Sequence, residues 1–169
     1  MKRFHFSLIL ILSICLTGCG AGDGRPADMP RLFPTTITIV QDGVPLAGAS
    51  VVLIPDDGSR DWYVSGATNE SGVAEMVASS RWSGAPNGQY RVIVRKFESD
   101  ASRIPPLPDD ADEAARAAHE FRTAEERLNT YTLVESIFTD PARTPLTLTV
   151  DGVTNETLDV GAAVRNIVR

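Results

Sequence analysis

The sequence predicts a mainly β protein, an antiparallel Greek-key β-sandwich carrying one inserted α-helix near residues 109–130. Three observations lead there. Short runs alternate apolar and polar residues with the period of a strand, and clusters of Gly, Asn, Asp and Pro interrupt them at intervals of about ten residues. One long stretch between two such runs changes to the period of a helix. Short connections favour antiparallel pairing, because parallel neighbours need a long crossover.

The N-terminal segment has a different grammar. Lys2 and Arg3 precede an apolar stretch from Phe6 to Leu16, the length of a secretory h-region and too short to span a bilayer as a helix. Residues 1–18 therefore form an export signal. The following Leu16-Thr17-Gly18-Cys19 resembles the lipobox of bacterial lipoproteins. The resemblance implies cleavage before Cys19, diacylglycerol on its sulfur, acylation of the new amino terminus and membrane attachment through that lipid. One acyl chain anchors marginally and two or three durably, since each buried methylene contributes about 0.8 kcal/mol. Gly20 is not the aspartate that commonly retains such proteins in an inner membrane, which favours the outer membrane.

Cys15 leaves with the signal and Cys19 takes the lipid, so the mature chain has no thiol to pair and must rely on a hydrophobic core. Residues 19–169 are long enough for one such domain. Loss of Lys2 and Arg3 leaves 14 basic against 22 acidic residues, a formal charge of −8. Without a basic stripe, this balance excludes nucleic acid as a partner.

Residues 19–34 are rich in Gly, Pro and Asp and read as a flexible tether. The sandwich is expected over 35–161. Thr35–Val40 alternates with Ile37 and Ile39 on one face, turns at Asp42-Gly43, and leads to Ala49–Ile54, apolar on both faces. Trp62–Ala67 and Val73–Ala78 flank Asn69-Glu70-Ser71-Gly72 as an expected hairpin. In Gln89–Phe97, Tyr90, Val92 and Val94 face inward while Arg91, Ile93 and Arg95 face away. Thr144–Val150 places Leu146, Leu148 and Val150 inward, Thr157–Val160 forms a last strand, and 162–169 is a tail.

The helical insertion spans 100–138. Ile104-Pro105-Pro106-Leu107-Pro108 is a stiff extended linker, and Asp109 or Asp110 then offers a cap to a helix of about five turns through Leu128. Phe121 and Leu128 lie on a thin apolar stripe. The helix is expected to dock on a sheet face or edge, with a partner-binding arm as the alternative.

Three segments together resemble the carboxypeptidase regulatory-like, or transthyretin-like, β-sandwich domains of small bacterial lipoproteins. They are Asp42-Gly43-Val44-Pro45-Leu46-Ala47-Gly48-Ala49, Gly66-Ala67-Thr68-Asn69-Glu70-Ser71-Gly72-Val73-Ala74 and Gly84-Ala85-Pro86-Asn87-Gly88-Gln89-Tyr90 with its strand. The resemblance covers about 35–97 and 139–160 and implies an immunoglobulin-like sandwich. Asn69 stands where the family usually has aspartate, and the insertion is longer than the family leads one to expect.

Chemistry is sparse. His119 is the one histidine of the mature chain and is expected as a solvated helix residue, so no Ser-His-Asp, Cys-His or two-histidine metal arrangement can be assembled. The same scarcity excludes the zinc peptidase and the hydroxyisourate hydrolase version of the transthyretin fold. Asp56, Asp57 and Asp61, and Asp109, Asp110 and Asp112, cluster without calcium-loop spacing and read as turns and caps. Catalytic, metal and cofactor residues are therefore none. Trp62 and Tyr90 are expected to fill the core, and Trp82 is expected on a loop as a possible contact for a ligand. The reading is a lipid-anchored, non-enzymatic envelope module that binds or scaffolds protein or glycan. A structural lipoprotein without a discrete ligand and a carboxylate-only enzyme are the alternatives.

Overall fold

The computed structural model describes residues 24–59, 62–100, 104–126 and 129–168. Cys19, the signal segment, Asp61 and Leu128 lie outside the described residues. In chain order the strands are β1 (Leu32–Phe33), β2 (Thr35–Gln41), β3 (Val44–Pro45), β4 (Ser50–Pro55), β5 (Val64–Ala67), β6 (Val73–Glu75), β7 (Val77–Ala78), β8 (Trp82–Ser83), β9 (Ala85–Pro86), β10 (Gly88–Arg95) and β11 (Phe97–Ser99). Then come the helix α1 (Glu113–Glu126), β12 (Thr130–Thr132), a 3-10 turn at Ser136–Phe138, β13 (Thr147–Val150), β14 (Thr154–Asp159) and β15 (Asn166–Ile167).

Two main sheets face each other. One has the order β13-β10-β4-β5-β7-β8, and the other is β14-β2-β3 with β6 beside β2. Their inner faces supply the core, in which Ile37, Ile39, Val51, Leu53, Val64, Tyr90, Val92, Val94, Leu148 and Val150 are buried. Period two puts these side chains on one face. β10 shows it most clearly, with Tyr90 against Leu148 across one ladder and Val92 against Leu53 across the other. Ile93 is buried as well, although it faces away from that core. Arg91 Nη1 donates to the Pro141 carbonyl at 3.0 Å and Arg95 Nη2 to that of Thr139 at 3.2 Å, so the 139–141 segment runs over the outer face.

The expected hairpin across 69–72 is split between the sheets. β6 pairs with β2, whereas β7 pairs with β5, and the chain changes sheet at Met76, which is 1% exposed. The turn itself forms as its residues dictate, with Asn69 Oδ1 accepting from the Ser71 and Val73 amides at 2.9 and 3.1 Å. At the Asp42-Gly43 turn both residues have positive φ, 50° and 75°, the twist that a tight hairpin between β2 and β3 requires.

Four expectations are corrected. β14 runs parallel to β2, because the link from β13 crosses from one sheet to the other instead of reversing beside its own strand. The segment read as tether is partly structural: Met29 is buried and β1 pairs with β9. The segment read as tail forms β15, which joins β11 and β12 in a small third sheet. Finally, α1 is shorter than five turns and makes no extensive contact with any described strand; Phe121, expected to face the sandwich, is 69% exposed. The helix is capped by Asp112, whose Oδ1 accepts from the Ala115 amide at 2.7 Å, and not by Asp109 or Asp110.

Candidate functional site

A cleft of about 650 Å³ opens at the end of the sandwich where β4 stops and β10 starts. Pro55, Asp56, Asp57, Ser59 and Trp62 form one wall, and Pro86, Asn87, Gly88, Gln89 and Tyr90 form the other, with Pro30 at the rim. The walls are held in place by the ladder between the two strands. Tyr90 pairs with Pro55, and the Asp56 amide extends the pairing by donating to the Gln89 carbonyl at 2.9 Å. Beyond it the chain must reverse, and Gly58, at φ 75°, closes the turn with its amide on the Pro55 carbonyl at 3.3 Å.

The polar groups of the cleft are fixed by local bonds. The Tyr90 hydroxyl donates to the Pro86 carbonyl at 2.8 Å. Burial, with the Asp57 carboxylate adding to it, pushes that hydroxyl up to about 12. Asp57 is shifted the opposite way, because the Ser59 amide donates to its Oδ1 at 2.9 Å and favours the charged carboxylate. Asp56 is paired with Arg91, Nε to Oδ1 at 3.0 Å. Asn87 and Gln89 are exposed, and Trp62 is half-buried, packing partly on the core while lining the cleft.

Trp82 does not belong to this cleft. It lies in the edge strand β8 rather than on a loop, half-buried against the core, with the Arg81 guanidinium 5.2 Å over its ring. Its indole Nε1 is buried without a hydrogen-bond partner. A solvent-facing contact surface is thus a poorer description of Trp82 than of Trp62. Sequence reasoning assigned Trp62 and Tyr90 to the core, where Tyr90 is buried and Trp62 packs half-buried, but it did not foresee that both also line the cleft. The available signal was their placement within four residues of two turn clusters, Asp56-Asp57-Gly58 and Pro86-Asn87-Gly88.

The other polar cluster supports the arm. Where the insertion leaves and re-enters the sheet, β11 pairs with β12, and Tyr131 donates to Asp100 Oδ2 at 2.6 Å. Arg165 pairs with Asp100 and Glu98, its guanidinium 3.4 Å over the Tyr131 ring. His119 is half-buried, its Nε2 3.1 Å from the Pro105 carbonyl in an exposed contact that ties α1 to the proline segment. Among the described residues no three His, Cys, Asp or Glu side chains meet as a metal site would require. Nor is any described helix long and apolar enough to cross a membrane.

No family profile and no curated protein matches the chain. Among solved structures it is similar to the crystal structure of BcpA, the major pilin subunit of Bacillus cereus, with 16% identity and a TM-score of 0.40. The match covers 82% of this chain and 31% of the pilin.

Proposed function

We propose that this chain is a lipid-anchored, non-enzymatic module of the cell envelope, whose transthyretin-like sandwich binds or scaffolds protein or glycan through the cleft between Trp62 and Tyr90. The observation that carries the reading is the cleft itself. Its volume lies within the rough range of small-ligand sites, about 300–1,000 Å³, and it joins an aromatic wall to a few placed polar groups. The titration directions support binding over catalysis. A general acid or base works best near the operating pH, whereas Asp57 is moved down and Tyr90 up, away from neutrality. Attachment through lipid on Cys19, with sorting to an outer membrane, rests on the Leu16-Thr17-Gly18-Cys19 segment.

Two measurements test this. Metabolic acyl labelling should be incorporated into the wild type and absent from Cys19→Ala, and an unlabelled wild type refutes the anchor. A photo-crosslinking amino acid at Asn87, in the cleft, should capture material in intact cells that the same group at exposed Val44 does not. Equal capture at both positions would favour an envelope component without a discrete ligand.

A further inference from the structure

We infer that the cleft takes a short, uncharged oligosaccharide; this rests on the reading of the cleft as the binding surface and names its ligand class. Among the described residues no cationic side chain lines the cleft. Two guanidinium groups beside it are engaged, Arg91 by Asp56 and the Pro141 carbonyl, and Arg25 by the carbonyl of Pro30 at the rim. An anionic ligand would therefore meet the ionised Asp57 carboxylate on a wall to which no described side chain brings an opposite charge.

A basic peptide fits less well than a sugar. Asp56 is neutralised by Arg91, so the field that would draw lysines or arginines is weak. What the walls do offer is a half-buried indole at Trp62, two exposed amides at Asn87 and Gln89, and the acceptor oxygens of Asp57. Sugar hydroxyls both donate and accept, as the amides do, and they donate to carboxylates. The apolar ring face of a pyranose can lie on the indole while its edge meets these groups, an arrangement that needs one apolar surface and a polar rim side by side. Rigid placement strengthens the case, because Tyr90 on Pro86 and Asp57 on Ser59 are already fixed and lose little freedom on binding.

Amide-resolved NMR titration of the folded chain with maltotriose, cellotriose and chitotriose, against trigalacturonate and an alternating Ala-Lys peptide, tests the inference. At least one neutral trisaccharide should move the Gly88 and Gln89 amides and the Trp62 indole signal along a saturating curve, and trigalacturonate should bind more weakly. Trp62→Ala and Asp57→Asn should each weaken that binding by roughly tenfold or more, as truncated hot spots do, while Trp82→Phe leaves it unchanged. Should Trp62→Ala fail to fold, Asp57→Asn, on an exposed turn, carries the comparison. Absence of any shift with all three neutral sugars overturns the inference, as does binding of trigalacturonate at equal strength. Shifts of the same amides with the basic peptide but not the sugars would remove the carbohydrate while leaving the cleft as a binding surface.

Discussion

β10 and α1 are both amphipathic in sequence, yet β10 is buried on its patterned face and α1 is exposed nearly all round. Tyr90, Val92 and Val94 present a large apolar side chain at every second residue, and the strand gains a partner on each edge. α1 offers Phe121 among alanines, and that side chain stays exposed, with no extensive contact between the helix and any described strand. A fourteen-residue helix held by its own ladder, the Asp112 cap and His119 on Pro105 has little tertiary support. What separates the two is density of apolar area along the buried face, since each has the right periodicity.

The largest expected effects therefore lie in the sandwich. Tyr90→Ala and Leu148→Ala, cross-strand partners in the core, should each lower unfolding free energy by about 2 to 5 kcal/mol in denaturant melts. Losses under about 0.5 kcal/mol at both would erase the contrast with the arm. Thr68→Val should cost somewhat less, about 1 to 3 kcal/mol, by leaving groups unpaired in the interior. The Thr68 hydroxyl accepts from the Ala49 amide at 2.8 Å and donates to the Leu46 carbonyl at 2.6 Å.

Much of this was legible in the sequence, and its failures have one physical character. Strand faces follow from period two, which fixes Ile37 with Ile39 and Tyr90 with Val92 whatever their partners. Partners are not encoded that way. Nothing local at Met76 says that Val73–Glu75 belongs to one sheet and Val77–Ala78 to the other, and nothing in Thr154–Asp159 announces a parallel ladder with β2. Met29 and β15 were hidden because a buried residue in a Gly- and Pro-rich stretch, or a two-residue strand, has too little pattern to detect. The cleft was half visible: turn residues marked its rim, but core and cleft wall make the same demand on an aromatic such as Trp62.

Tyr90 also distinguishes the regions by pH. Its folded hydroxyl titrates near 12 against an ordinary value near 10, so the folded chain holds this proton more tightly than the unfolded chain. The contribution is complete below about pH 10 and is lost as the pH rises toward about 12. Tyr90→Phe should flatten that alkaline decline in stability. An unchanged slope would mean that another group carries it.

At the small end of the scale stands the arm. Phe121→Asp should change stability by no more than about 0.5 kcal/mol, as expected for an exposed position. A loss of several kcal/mol would show that α1 packs on the sandwich after all.

Removing the arm tests the account most directly. Replacing residues 101–128 by Asn-Gly joins Asp100 to Asn129 beyond the Ser99–Thr130 pair of the β11–β12 ladder, leaving the sandwich and the Arg165 cluster intact. A folding unit made by the two facing sheets predicts a cooperative melt within about 4 °C of the full chain, the shift that roughly 1 kcal/mol produces in a domain of this size. A transition lowered by more than about 10 °C, or no cooperative transition, would contradict it and make the helix part of what holds the fold together.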